Sequence, residues 1–304
     1  MPPVTPAAPS ADEHVEEPSP GGLSVAAIME KAGRENFPVA SRLLPKATRK
    51  HLMAIYGFAR LTDDLGDEAE GDRLQHLDWL EQELGRAFAG EAHHPLLTRL
   101  SETIRECNLP PDPFLALIEA NRVDQRASRY ATFADLRDYC RLSAEPVGRL
   151  VLMVTGSLDA KRAAWSDDVC TGLQLAEHWQ DVAEDAARDR IYLPQEDLAY
   201  FGVSEDDILA GRTSDPFLRL MAFEVHRARE LLAAGTPLAG SLSGRLRLAI
   251  AGFAAGGLAA LDAIEVAGYD VLRYQTRPDR RSRLRHFLDI VAAVGRQRHR
   301  GRPS

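Results

Sequence analysis

Two apolar helical segments that carry acidic residues one turn apart constrain this chain more than any other feature. In chain order, the acids are Asp63, Asp64, Asp67, Glu177, Asp181 and Asp185. Residues three, four and seven positions apart share one face of an α-helix, so each segment carries a stripe of mutually repelling carboxylates. Apolar neighbours predict that both helices are buried, and buried carboxylates need cations or hydrogen-bond donors. The stripes therefore predict either a metal site or two structural salt-bridge clusters.

Composition narrows the class of protein. The chain has 304 residues, a hydrophobic content of 45% and a formal net charge of −8, which argues against general nucleic-acid binding. Its three cysteines, Cys107, Cys140 and Cys170, are too few and too scattered for a disulfide framework or a zinc site. No run reaches the roughly 18 apolar residues of a membrane span, and no signal-peptide pattern opens the chain. We therefore expect a cytoplasmic protein with reduced thiols and no nucleic-acid partner.

The spacing of apolar residues is helical almost throughout from Leu23 onward. It predicts helices over residues 23–34, 46–67, 73–89, 95–107, 112–129, 133–155 (interrupted near residue 146), 166–187, 204–210, 214–235, 241–267 and 280–298. Only Arg190–Pro194 has an extended pattern, so we predict an all-α bundle around a central cavity. Residues 23–304 would form one domain, and the Pro-, Ala-, Glu- and Ser-rich residues 1–22 a disordered extension. Gly252, Gly256 and Gly257 have the spacing of closely packed helices.

The C-terminal segment reverses the charge of the rest of the chain. Residues 273–304 contain ten arginines and two aspartates, with apolar residues between them at near-helical spacing. One interpretation is a helix with a packed apolar stripe and a solvated charged face. The other is a peripheral contact with an anionic membrane surface at the inner face of the membrane, which would suit a lipophilic substrate.

Two opposed carboxylate stripes would suit Mg²⁺, which prefers oxygen ligands from a few carboxylates, phosphate groups and water. Such ions would bridge the stripes to a diphosphate and favour C–O heterolysis by drawing charge from the leaving group. Arg60 lies one turn before Asp63 and Asp64. It would either clamp phosphate oxygens or form a helix salt bridge with Asp64.

Heterolysis leaves a carbocation, which a dry pocket of apolar and aromatic groups would stabilise. Phe37, Tyr56, Tyr139 and Trp179 are candidates for this lining, and aromatic residues at helical spacing also serve as plain core. His178 lies beside the second stripe, either as a functional group or as a hydrogen-bonded core histidine.

Several motifs in sequence order resemble the squalene/phytoene synthase family over residues 24–290. They are Glu35–Pro45, Ile55–Arg60, Asp63–Asp67, Tyr139-Cys140 with Pro146–Gly148, Gln174–Asp185, Arg190–Pro194 and Gly268–Leu272. Within the family, Asn36-Phe37-Pro38 and Glu119–Gln125 are most similar to the hydroxysqualene synthases of bacterial hopanoid pathways.

The resemblance implies an isoprenoid-synthase helical fold and Mg²⁺-dependent ionisation of presqualene diphosphate. Water would then capture the rearranged cation, giving hydroxysqualene and diphosphate. The matching positions are Asp63, Asp67, Asp181 and Asp185 for metal, Arg60 and Gln174 for diphosphate, and Arg190 and Tyr269 for substrate. The implied partners are an isoprenoid diphosphate substrate and the upstream and downstream enzymes of a squalene pathway.

Glu177 and Glu145 depart from the family pattern, because each stands where asparagine is usual. Glu177 retains an oxygen ligand for Mg²⁺ and adds negative charge. Glu145, just before Pro146, would either position the capturing water or lower activity.

Other functions remain open at this stage. A condensing synthase would join two farnesyl diphosphates to presqualene diphosphate or squalene. Its reductive form needs a nicotinamide, and no Gly-x-Gly-x-x-Gly motif follows a strand pattern here. A non-catalytic helical scaffold or assembly factor of the same fold would be expected to lose the acids or Arg60, which are all present. A di-iron bundle needs paired Glu-x-x-His motifs, and the one outside the tail, Glu91–His94, precedes Pro95 in a loop.

Overall fold

The computed structural model describes residues 20–31 and 44–300, without the side chains of residue 31 and residues 296–300. After a 3₁₀ turn at Pro20–Gly22, the helices are α1 (Val25–Lys31), α2 (Lys46–Asp67), α3 (Arg73–Ala89), α4 (Pro95–Cys107), α5 (Asp112–Asp124), α6 (Phe133–Ser143), α7 (Glu145–Val154), α8 (Ala160–Gln180), α9 (Val182–Ala187), α10 (Gln195–Phe201), α11 (Glu205–Leu209), α12 (Asp215–Gly235), α13 (Pro237–Ser241), α14 (Gly244–Val266) and α15 (Arg280–Arg300). An isolated bridge between Arg129 and Ile191 is the only β-type pairing among the described residues. The all-α prediction is confirmed. Of the extension predicted for residues 1–22, residues 1–19 lie outside the described part.

The bounds of α2, α3 and α4 match the prediction because strong capping residues separate these helices. Asp72 accepts a hydrogen bond from the Gln75 backbone amide at 3.2 Å and starts α3. Gly90, with φ 82°, ends α3, and Asn108, with φ 51°, ends α4. Residues of these types are favoured at such positions, so the sequence alone locates them.

Several helices differ from the prediction, including the short α13, which was not predicted. Predicted to reach residue 129, α5 ends at Asp124, because the carbonyls of residues 128, 130 and 131 instead accept backbone hydrogen bonds from residues 191, 195 and 196. The second acid-bearing helix begins at Ala160 and is divided at Asp181. The short α10 was not predicted, although Pro194 precedes it and Gly202, with φ 72°, ends it.

The larger core surrounds α8, which packs against α7, α12 and α14. Trp179 is fully buried there, and its indole Nε1 donates to the Glu224 backbone carbonyl of α12 at 3.2 Å. Close approach of α14 requires Gly257, where a Cβ would lie 2.6 Å from Leu173 Cδ2. The predicted close packing at Gly252 and Gly256 is wrong, because a Cβ at either position would meet nothing within 4 Å.

The second core holds α2 against α3, α4 and α5. Phe58 of α2 is fully buried and meets Phe114 of α5 edge to face, with ring centroids 5.3 Å apart. Gly66, which directly precedes Asp67, packs on Asn121 of α5, and a Cβ at Gly66 would overlap the Asn121 side-chain amide. A glycine therefore fixes how closely the first acid-bearing helix approaches α5.

The apolar helix α14 is long and hydrophobic enough to cross a membrane by length and composition alone. The expectation that no segment has this character is therefore wrong. In this fold 56% of its most apolar stretch is buried, and Ala251, Ala255 and Leu261 lie in the core. It is the central packing partner of α8, α12 and α15.

A buried acid in the larger core predicts a pH-dependent stability. Glu224 is 0% exposed, and burial raises its pKa to about 8 despite the Arg227 guanidinium 3.2 Å away. The folded state therefore holds a proton that the unfolded chain releases near pH 4.5, so the stabilising effect is complete below that pH and lost as pH rises towards 8. Glu224→Gln does not titrate, and we expect it to be more stable than the wild type at about pH 9, by on the order of a few kcal/mol, with the difference shrinking towards about pH 5. Thermal unfolding of both proteins across this range measures the difference. A constant difference, like the one expected for the exposed control Glu91→Gln, would contradict the argument.

The contact between α2 and α5 gives a second prediction. Gly66→Ala forces the Asn121 side chain to move, and we expect a loss of about 1–3 kcal/mol in unfolding free energy. Gly85→Ala in α3 is the matched control, because nothing lies within 4 Å of its added Cβ and helix propensity alone should stabilise it by about 0.5–1 kcal/mol. Denaturant unfolding of both variants checks the opposite signs, and equal effects would disprove the packing argument.

Candidate active site

The two acid-bearing segments line one cavity of about 720 Å³. The lining residues are Arg60, Asp63, Asp67, Glu68, Arg73, Leu117, Ala120, Asn121, Asp124, Tyr139, Ser143, Gln174, Glu177, His178, Asp181, Asp185, Arg188, Arg190 and Tyr192. They come from α2, the start of α3, α5, α6, α8, α9 and the segments that follow α2 and α9. Two stripes that are distant in sequence therefore share one cavity.

In the first stripe, α2 presents Asp63, Asp67 and Arg60 to the cavity. Asp64 does not line it: the residue is only 1% exposed, and Arg60 Nη2 lies 2.6 Å from its Oδ1. Successive residues are rotated by about 100° around a helix, so Asp63 and Asp64 point in different directions. The helix salt bridge considered for Arg60 is thus present, and the same guanidinium also borders the cavity and reaches Glu68 at 3.2 Å.

The second stripe keeps its direction across the break between α8 and α9. The amide of Asp181 donates to the carbonyl of Glu177 at 3.0 Å, and the amide of Asp185 donates to the carbonyl of Asp181 at 2.8 Å. These bonds keep the one-turn spacing through the non-helical backbone angles of Asp181 (φ −102°, ψ 13°). Gln174, Glu177, Asp181 and Asp185 consequently all line the cavity.

His178 is both a packed and a cavity-lining residue. Its ring stacks on Tyr192 with centroids 3.7 Å apart, and its Nε2 lies 3.1 Å from the Gln174 amide nitrogen. Nδ1 lies 3.8 Å from Asp185 Oδ2. The histidine therefore links two residues of the second stripe and fixes the position of Gln174.

An ion pair joins the two acid-bearing regions. Arg190 follows α9 along the chain, and its Nη2 lies 2.9 Å from Asp67 Oδ1 at the end of α2. The guanidinium is largely enclosed, since 16% of its side chain is exposed. Arg190 therefore places positive charge between the stripes, where anionic oxygens of a substrate would also be attracted.

Tyr139 and Tyr192 are the two tyrosines among the described residues of the cavity wall. The Tyr139 hydroxyl donates to Asp124 Oδ2 at 2.8 Å, and the Tyr192 hydroxyl approaches Asp124 Oδ1 at 3.4 Å. Burial raises the pKa of Asp124 to about 6, although the Tyr139 hydrogen bond and the nearby Arg190 charge oppose this shift. Tyr139, predicted from the sequence, is thus held by an acid that sequence reasoning missed.

The other aromatic candidates lie elsewhere. Tyr56 is buried and Trp179 belongs to the larger core, so neither borders the cavity. Tyr269, with φ 65°, packs against the larger core away from the lining, and Phe37 lies outside the described residues. Among the described lining residues only Leu117 and Ala120 are aliphatic. The apolar chamber expected from the sequence is therefore not what these residues form, because the described wall is mainly polar.

Helix α5 supplies contacts that the sequence analysis did not assign. Asn121 Nδ2 donates to Asp63 Oδ1 at 3.3 Å, and Gln125 Nε2 donates to the Gly66 carbonyl at 3.0 Å. Both residues lie in the Glu119–Gln125 motif, which was the available signal. They hold the acid-bearing end of α2 against α5.

The two positions that depart from the family pattern are separated. Glu177 faces the cavity, as a metal-facing residue would. Glu145 is 5% exposed, lies outside the lining and accepts a hydrogen bond from Thr171 Oγ1 at 3.2 Å. The described contacts of Glu145 are therefore those of a packed acid.

The electrostatics of the cavity favour a cation. Seven carboxyl groups and four guanidinium groups line it, so negative charge exceeds positive charge. Asp63 is open to the cavity, and desolvation by the protein packed around its carboxyl group raises its pKa, although the Asn121 hydrogen bond opposes this shift. Burial, with the neighbouring Glu177 and Asp185 charges, raises the pKa of Asp181 to about 6. Protein groups alone leave these carboxylates incompletely compensated.

The donor set fits Mg²⁺ on chemical grounds. The facing groups are carboxylate oxygens, the ligands that this ion prefers. No three His, Cys, Asp or Glu side chains converge into a ready-made metal cluster within residues 20–31 and 44–300. In phosphate-binding proteins, Mg²⁺ is commonly held by one or two carboxylates, and water and substrate phosphates complete its coordination.

Comparison with known proteins identifies the family of this chain. The squalene/phytoene synthase family model matches residues 31–285. The chain is 37% identical over 213 residues to a hydroxysqualene synthase of Rhodopseudomonas palustris, covering 68% of this chain and 71% of that protein. It is 35% identical over 211 residues to a phytoene synthase of Arthrospira platensis, covering 64% and 68%.

A solved structure is also similar in both sequence and fold. The crystal structure of squalene synthase HpnC from Alicyclobacillus acidocaldarius is 49% identical, with a TM-score of 0.75. The match covers 81% of this chain and 95% of the HpnC chain. The chain therefore belongs to the squalene/phytoene synthase family, whose members act on isoprenoid diphosphates.

Proposed function

We propose that this chain is a hydroxysqualene synthase. The C–O bond of presqualene diphosphate breaks and its electron pair leaves with diphosphate. The carbocation rearranges, a water oxygen bonds to it, and the water loses a proton to give hydroxysqualene. The observation that carries the proposal is the convergence of two carboxylate stripes and two arginines, Arg60 and Arg190, on one cavity.

Five carboxylates would hold Mg²⁺ in this proposal, and they are Asp63, Asp67, Glu177, Asp181 and Asp185. Asp64, predicted as a sixth ligand, is not included, because it pairs with Arg60 outside the cavity lining. When bound, Mg²⁺ supplies Lewis-acid stabilisation of the charge that develops on a leaving diphosphate.

The chain's own cations and amides would orient the leaving group. Arg190 and Arg60 offer guanidinium donors that suit phosphate oxygens, and each already contacts a carboxylate of the first acid-bearing helix. Gln174, held by His178, offers an amide from the opposite stripe. A diphosphate bound between these groups would contact residues of both stripes.

The polarity of the described wall supports capture by water. A dry apolar wall would protect a carbocation until it lost a proton or reacted with a second substrate. Here Asp124, Tyr139 and Ser143 border the cavity with polar groups. A wall of this kind can retain water close to the ionised carbon, as the hydroxylated product requires.

A condensing synthase is the second candidate function. The sequence identity of this chain to the Arthrospira phytoene synthase, 35%, is close to its identity to the Rhodopseudomonas hydroxysqualene synthase, 37%. A condensing enzyme would join two farnesyl diphosphates in the same cavity. HpnC, at 49% identity over most of the chain, is named a squalene synthase, and we therefore favour the squalene branch. Adjacent squalene-pathway enzymes would be its partners in the cytoplasm, where the three free cysteines would stay reduced.

The choice of substrate gives a direct prediction. Purified protein with Mg²⁺ and no NADPH should release diphosphate from presqualene diphosphate and form hydroxysqualene, whose oxygen derives from water. Incubation in ¹⁸O-labelled water followed by mass spectrometry measures that origin. Product from farnesyl diphosphate alone would instead establish the condensing reaction.

The carboxylates give a prediction in which activity and stability move in opposite directions. Asp63→Asn and Asp181→Asn should each lower kcat/KM by about 10²-fold or more, because ligands of the diphosphate-bound Mg²⁺ are lost. In EDTA both variants should melt at or above the wild-type temperature, because each removes a poorly compensated charge. The exposed control Asp138→Asn should change neither quantity. Full activity in both cavity variants would reject the proposed metal site.

A further inference from the structure

Exposed apolar side chains concentrate near the C-terminal end of the described chain. Among large hydrophobic residues of the described part, five are more than half exposed, and four of these lie between residues 266 and 288. They are Val266 at 88%, Tyr274 at 58%, Leu284 at 58% and Leu288 at 55%. Scattered single hydrophobic residues are normal on a surface, but a cluster of this size is a feature of binding surfaces.

Helix α15 carries two faces of different character. Phe287, Ile290, Val291 and Val294 form the face that packs on α13 and α14. The exposed face beside it combines Leu284 and Leu288 with Arg281 and Arg285, which are spaced three or four residues apart. The sequence left open a packed apolar stripe with a solvated charged face or a contact with an anionic membrane surface. Part of the predicted apolar stripe is packed, but Leu284 and Leu288 are exposed.

The charges around these residues are mainly positive. Between residues 266 and 292 five exposed arginines stand against two exposed aspartates. Arg277, Arg280 and Arg281 make no ion pair with any described residue. The nearby Glu265 is paired with Arg229 at 3.1 Å, so it does not cancel this charge. The surface is thus cationic on a chain of net charge −8.

A groove connects the exposed apolar side chains with the exposed arginines. It has a volume of about 640 Å³ and lies between the end of α14, the segment over residues 270–279 and the start of α15. Val266, Tyr274, Arg277 and Arg285 border it. Arg285 also lies on the face of α15 that carries Leu288, so groove and helix face form one surface. We name it the C-terminal patch, comprising Val266, Tyr274, Arg277, Arg281, Leu284, Arg285 and Leu288.

The geometry points to an anionic membrane surface as the ligand of the C-terminal patch. Arg285 is paired with Asp262, but Arg277 and Arg281 form no ion pair with the described residues and are available for lipid headgroups. The leucine and tyrosine side chains between them can enter the interfacial layer. This combination matches an acidic lipid surface, whereas a purely polar anion would leave the apolar groups unused.

The patch is connected to the second carboxylate stripe. Gln180 Nε2 donates to the Thr276 carbonyl at 2.6 Å, and Gln275 Nε2 donates to Glu184 Oε1 at 3.1 Å. The segment that carries Tyr274 and Arg277 is therefore bonded to the two turns that hold Asp181 and Asp185. Docking at the patch would hold the α8–α9 side of the cavity near the lipid.

The test is co-sedimentation of the full chain with phosphatidylcholine vesicles that contain or lack phosphatidylglycerol. We expect binding only to the anionic vesicles, with loss at high salt. Leu284→Ser/Leu288→Ser and Arg277→Glu/Arg281→Glu should each weaken it by about ten-fold or more. Matched controls are Leu158→Ser/Leu209→Ser, which removes two exposed leucines elsewhere, and Arg99→Glu/Arg219→Glu, which reverses two exposed arginines elsewhere.

The outcomes separate the proposal from its alternatives. Loss of binding in both patch variants, with wild-type melting temperatures and with binding retained in both controls, supports the membrane surface. No binding of the wild type to anionic vesicles overturns it, as does equal binding of patch and control variants. None of the four variants alters a cavity residue, so activity towards detergent-solubilised presqualene diphosphate should be unchanged and reports on the proposed function separately.

Discussion

Repulsion among the carboxylates of each stripe, both of which line one cavity, is the constraint on which the rest of the structure depends. Asp63 and Asp67 line this cavity together with Glu177, Asp181 and Asp185, and the wall has too few cations to balance them. Arg190, 2.9 Å from Asp67, offsets part of this repulsion. Desolvation and the neighbouring Asp67 and Asp64 charges raise the pKa of Asp63, which is the electrostatic cost of placing several carboxylates together without a full set of partners. An apolar core on each side keeps the helices in place despite this cost, so stability elsewhere in the fold supports a site prepared for added positive charge.

Contacts from the α5 region and from His178 fix the positions of the two acid-bearing segments. Asn121 and Gln125 hold the end of α2, and the close contact at Gly66 sets its distance from α5. On the other side, His178 stacks on Tyr192 and holds Gln174. None of these contacts needs substrate, so both stripes are arranged before a diphosphate arrives. Such preorganisation reduces the cost of ordering groups during the reaction.

Local patterns were sufficient to predict much of this structure. Capping residues gave the bounds of α2, α3 and α4, and helical spacing placed the acids on two stripes. Spacing cannot separate neighbours such as Asp63 and Asp64, because the packing of α2 against other helices decides which one faces the cavity. The polar wall was also missed, since Asp124 and Tyr192 meet only through contacts between distant segments. The early end of α5 has the same origin, because backbone pairing with residues 191–196 replaces its last predicted turn.

The cavity suits the diphosphate end of the proposed substrate, and a membrane at the C-terminal patch would suit its isoprenoid chain. A diphosphate requires cations and amide donors, and the described wall supplies guanidinium groups, an amide and carboxylates that would hold Mg²⁺. A long isoprenoid chain requires apolar surroundings, and the described wall contributes only Leu117 and Ala120 as aliphatic groups. A lipid surface held at the patch would offer the apolar chain an environment of its own kind while the diphosphate enters the protein. Hydrogen bonds join Thr276 and Gln275 to the second acid-bearing segment. They connect the proposed lipid-facing surface to the groups that would hold the leaving diphosphate, so both ends of the substrate would be held by one connected part of the fold.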